Sequence, residues 1–174
     1  MDILINYPEF EGDIKECFSK IIVKYDFKFS RVYEGCYTLN NGKCLLKFTY
    51  DRGEVACNIK QPGDATETAG YNVLSVYRFL YPDDTTYNKK DWGTPHEQLS
   101  EYADALSGKL KNILMGDFSW EGKYASRQNQ LSKMIKFVRN NLDRTDPIYQ
   151  KFYNDDVGWI NDLKSYLEEN NISL

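Results

Sequence analysis

A chain of 174 residues with 41% hydrophobic and 28% charged side chains, 5 prolines and a net charge of −4 has the composition of one folded domain, burying roughly two-thirds of its unfolded surface. No apolar run approaches the ~20 residues of a membrane span, and an acidic whole with one modest basic segment excludes a general nucleic-acid binder, which needs a concentrated basic face. Four cysteines without a C-x-x-C spacing make neither a zinc ribbon nor a disulfide framework.

The N-terminus, MDILINYPEF, carries no basic leader, so the expectation is a cytoplasmic protein without a signal peptide and with free thiols. Phe10, Ile14, Cys17, Phe18, Ile21, Ile22 and Tyr25 recur at three- and four-residue steps, predicting an amphipathic helix that opens near Pro8. VYEGCYTLNNGKCLLKFTYDRGEVACNIK then reads as a three-stranded antiparallel meander. Asn41-Gly42 suits a two-residue turn, which sets Leu39 opposite Cys44 and Tyr37 opposite Leu46. Arg52-Gly53 sets Tyr50 opposite Val55, Phe48 opposite Cys57 and Leu46 opposite Ile59. One face collects Tyr37, Leu39, Cys44, Leu46, Phe48, Tyr50, Val55, Cys57 and Ile59. The other shows Glu34, Thr38, Lys43, Lys47, Thr49, Glu54, Asn58 and Lys60. Such alternation marks a sheet with one packed face, and the first helix is its expected cover.

QPGDATETAG is a loop. In YNVLSVYRFLY, Val73, Leu74, Tyr77 and Leu80 suit a helix, and the acidic loop YPDDTTYNKKDWG follows. Thr94-Pro95-His96-Glu97 is a capping box with proline at the first helical position. The stripe Leu99, Tyr102, Ala103, Leu106, Leu110, Ile113 and Leu114 extends this helix to Gly116. Another helix is predicted from Trp120 to Leu142, with Lys123, Arg127, Lys133, Lys136 and Arg139 on a solvated face and Phe137 off the apolar side. Asp146 and Pro147 open the last helical stretch, which is expected to break where Asp155 or Asp156 caps a new helix. The fold class is therefore α+β, one domain over 1–174, with an α-β-β-β-α unit (1–81) and a helical part (94–174).

Chemistry-bearing motifs are sparse. His96 is the only histidine, and no phosphate-cradling glycine loop, nucleophile elbow or acidic calcium loop occurs. No catalytic residue, metal ligand set or cofactor is expected. The 14 tyrosines and 3 tryptophans point to protein contacts instead, where aromatic side chains are enriched.

The order of helix, meander with NNG and YDRGEV turns, then helices resembles a class of small intracellular bacterial α+β proteins that includes immunity proteins encoded beside toxins. The resemblance covers residues 10–80. It implies a non-catalytic protein that binds and neutralises a toxin domain. An acidic, aromatic surface fits a basic partner, so the partner-binding candidates are Tyr81, Asp83, Asp84, Tyr87, Asp91, Trp92, Asp155 and Asp156. Two other readings stay open. A small-molecule domain or enzyme would hold an anion such as phosphate at Lys89, Lys90 and His96, beside a helix N-terminus. An oligomerising module would pair through the second sheet face at Cys36, Leu45 and Ala56.

Overall fold

The structure, a computed structural model, describes residues 7–63, 70–88, 93–156 and 158–174. It is α+β, and the chain divides into two compact units, Met1–Trp120 and Glu121–Leu174. The first holds α1 (Phe10–Cys17), α2 (Ser19–Tyr25), β1 (Lys28–Tyr33), β2 (Cys36–Asn40), β3 (Leu45–Asp51), β4 (Glu54–Lys60), β5 (Tyr71–Asn72), α3 (Val73–Leu80), α4 (Pro95–Ser107) and a 3₁₀ turn at Ile113–Met115. The sheet is antiparallel in the order β1-β2-β3-β4-β5, each strand beside its neighbour in sequence.

The expected three-stranded meander is thus the centre of a five-stranded sheet. β1 adds one edge and β5, two residues long, the other. The second turn keeps its expected register, with Tyr50 opposite Val55 and Leu46 opposite Ile59. Both Arg52 and Gly53 take positive φ there, 51° and 92°, as a type I′ turn requires. The first turn differs: Leu39 faces Leu46 and Tyr37 faces Phe48. Asn41 is the reason. Its Oδ1 accepts the amides of Lys43 and Cys44, and its Nδ2 donates to the carbonyls of Tyr25 and Leu114, which opens a four-residue loop. The slip is two residues, so the same side chains still share a face. Tyr37, Leu39, Cys44, Leu46, Phe48, Val55, Cys57 and Ile59 are all buried.

That face lies under α1 and α2, where Phe10 meets Tyr37 and Tyr50, and Phe18 meets Phe48 edge to face at 4.8 Å. The one expected helix is two, divided at Phe18. Its amide still reaches the Ile14 carbonyl and its own carbonyl accepts the Ile22 amide, so Phe18 itself stays bonded to both helices. The capping box of α4 is present in both directions. The helix stops at Ser107, not at Gly116. A Cβ at Gly108 would come within 3.0 Å of the Asp104 carbonyl, so glycine permits the turn. Leu110, Ile113 and Leu114 are buried beyond the helix, and Gly116 closes the 3₁₀ turn at φ 95°.

The second unit holds α5 (Glu121–Asn141), α6 (Pro147–Tyr153) and α7 (Trp159–Glu169). Met134, Val138, Ile148, Trp159, Leu163 and Leu167 form its core. Phe137 packs on Tyr166 of α7. Asp146 caps α6 through the Ile148 amide, and the expected break follows α6, but the N-cap of α7 is Gly158, without a side-chain cap, and not Asp155 or Asp156. Among the described residues, no helix is long and apolar enough to cross a membrane.

Candidate functional site

Three polar constellations stand out in the first unit. At the sheet's β5 side, strand pairing reaches only Asn58 and Ile59 of β4, so Val55 further along needs other partners. Gln98 and Tyr102, one turn apart on α4, supply them. Gln98 is 4% exposed. Its Oε1 accepts the Val55 amide at 2.8 Å, while its Nε2 donates to the carbonyls of Gly53 and Gly93. The Tyr102 hydroxyl donates to the Val55 carbonyl at 3.0 Å and accepts from Asn72. Here side chains finish a sheet edge, as buried backbone groups demand.

The second constellation follows α3. Asp84 Oδ2 accepts from the Tyr77 hydroxyl at 2.6 Å and from Lys109 Nζ, while Oδ1 accepts from the amide and hydroxyl of Thr86. Lys109, then Thr86 and Tyr77, hold this carboxyl well below the usual carboxylate range. Burial, with Asp84 beside it, raises the Tyr77 phenol, and burial raises Tyr87 likewise. The Tyr77 ring contacts Tyr81 and Tyr87, and the Tyr81 hydroxyl donates to the Lys109 carbonyl. Residues 81–88 of the acidic loop are therefore held in place by this network. Tyr81, Asp84 and Tyr87 are brought together and half-buried, while Asp83 beside them is exposed. Asp91, Trp92, Lys89 and Lys90 lie outside the described residues.

The third constellation joins helices that are distant in sequence. Asp13, Glu16 and Cys17 share a face of α1 at the i, i+3, i+4 spacing, and α4 packs against that helix. His96, in the first turn of α4, places Nδ1 3.2 Å from Asp13 Oδ1. Asp13 Oδ2 accepts from the Tyr7 hydroxyl at 2.6 Å, and that bond, with burial second, pushes the Tyr7 phenol up to about 12. Cys17 Sγ stands 3.9 and 3.8 Å from the two ring nitrogens of His96 and 3.4 Å from Ser100 Oγ. A sulfur nearly equidistant from both nitrogens does not point at one lone pair, as a nucleophile paired with its base does. Burial raises the thiol, and Asp13 and Glu16 oppose a thiolate, so Cys17 is held in its unreactive form. His96 itself faces the carboxylates of Asp13 and Glu16, surroundings that suit a cationic ligand better than the anion of the small-molecule reading.

Comparison with family models, with curated proteins and with solved structures finds no match.

In the second unit, Asp155 takes a left-handed backbone at φ 57°. Asp156 accepts the Gly158 amide at 2.9 Å through its side chain and the Trp159 amide through its carbonyl. Both are exposed, and Asp156 leads into α7. Sequence reasoning missed the meeting of Asp13, Glu16 and Cys17 with His96. The shared helix face was legible, but which helix would cover it was not. Cys17 and His96 are 79 residues apart in sequence.

Proposed function

We propose that this chain is a non-catalytic, cytoplasmic binding protein that engages a basic protein partner, as an immunity protein engages its toxin domain. The observation carrying this reading is the anchored acidic segment 81–88 after α3. Asp84 ties Tyr77, Thr86 and Lys109 together, and exposed Asp83 sits on the loop so anchored. A loop already in place loses little freedom on binding. The negative charge of Asp83 speeds encounter with a basic surface. Four free cysteines, three of them buried, support a reducing compartment, and the protonated Cys17 supports a role without nucleophilic chemistry.

The test mixes the purified chain with the catalytically inactivated toxin domain encoded beside its gene. A one-to-one complex is expected, with an association rate that falls with salt and drops about tenfold in Asp83→Lys. Absence of a complex, or an association rate indifferent to Asp83→Lys, overturns the reading.

A further inference from the structure

We propose that Asp13, Glu16 and His96 form a binding site for one divalent transition cation of the zinc class. The three side chains come from two helices and converge. One donor atom from each lies within 4.8 Å of the others. Zinc bonds of about 2.0 Å hold neighbouring tetrahedral donors about 3.3 Å apart. Asp13 Oδ1 and His96 Nδ1, at 3.2 Å, already stand at that spacing. Glu16 is exposed, and a rotation of its flexible side chain brings its carboxylate to the same point.

The surroundings of the three donors fit the same ligand. The Tyr7 hydroxyl on Asp13 Oδ2 is the kind of outer hydrogen bond that fixes a ligating carboxylate. Two carboxylates facing one imidazole suit a doubly positive ion. An imidazole donor favours zinc, cobalt or nickel over magnesium and calcium, which take oxygen sets. Three protein ligands also leave a coordination position open to water. Occupation joins α1 to α4.

The test uses the full-length chain without a histidine tag, titrated with zinc chloride and separately with magnesium chloride. Heat is followed by calorimetry, and the signals of the single histidine ring by NMR. Expected is one saturable site for zinc that moves the His96 signals, with no response to magnesium. His96→Gln and the exposed Glu16→Gln each lower the affinity, with folding checked by circular dichroism. Tyr7→Phe lowers it about tenfold. No saturable binding, unmoved His96 signals, a magnesium response equal to that of zinc, or unchanged affinity in Glu16→Gln or His96→Gln would each overturn the assignment.

Discussion

The first two turns of α4 carry two polar clusters with opposite characters. Gln98 and Tyr102 are buried, and the polar atoms of Gln98 meet partners on the β3–β4 turn, β4 and Gly93. His96 and Ser100, on the face toward α1, stay half-exposed beside Cys17 and Asp13. A closed network holds the fold in one arrangement. A cluster whose histidine and glutamate stay open to solvent retains the capacity to take something else. The same contrast separates two tyrosine–aspartate pairs with equal 2.6 Å bonds. Tyr77–Asp84 is completed by Lys109 and Thr86, whereas Tyr7–Asp13 is completed by the chain's one imidazole.

This contrast is open to direct attack. The largest effect is expected from Gln98→Ala, which removes the partner of the buried Val55 amide and costs about 1–3 kcal/mol in urea unfolding. A loss no greater than that of an exposed alanine substitution would mean the network is not closed. Tyr102→Phe removes both hydrogen bonds of the hydroxyl, to the Val55 carbonyl and from Asn72, and is expected to cost about 1–2 kcal/mol by the same measurement.

Asp84 gives a pH test. Its folded carboxyl titrates below its unfolded value, so its stabilising contribution is full above the ordinary carboxylate range and is lost as pH falls through the depressed value. The urea midpoint of Asp84→Asn should therefore lie below that of the native chain at pH 7 and converge with it in strong acid. The smallest effect belongs to His96→Gln. Without added metal it should change stability by less than about 0.5 kcal/mol, as for other surface substitutions. A larger loss would place His96 among the closed networks and remove the contrast.

Much of this architecture was legible locally. Thr94-Pro95, Asp146-Pro147 and Arg52-Gly53 signalled their own backbone geometry, and strand alternation identified the buried face even where the Asn41 loop shifted the register. What escaped was decided at a distance. β1, KFSRVY, is mostly exposed and is held by backbone pairing to β2, which any alternation permits. Leu110, Ile113 and Leu114 kept helical spacing because they return to a buried site after α4 has ended, so periodicity alone overran Gly108. In the acidic loop, Asp83 and Asp84 looked equivalent. Lys109, 25 residues on, with Tyr77 and Thr86, distinguishes the anchored carboxylate from its exposed neighbour.

The order of the sheet has a kinetic consequence. Strands that pair only with their sequence neighbours zip as successive hairpins and need few long loops closed. The return of α4 to α1 is a far longer closure, and long closures cost chain entropy before their contacts form. If that seam docks after the rate-limiting step, a cation held across it leaves refolding unchanged and slows unfolding. Stopped-flow chevrons with and without zinc would then share a folding limb and part on the unfolding limb, making the bound ion a brake on opening.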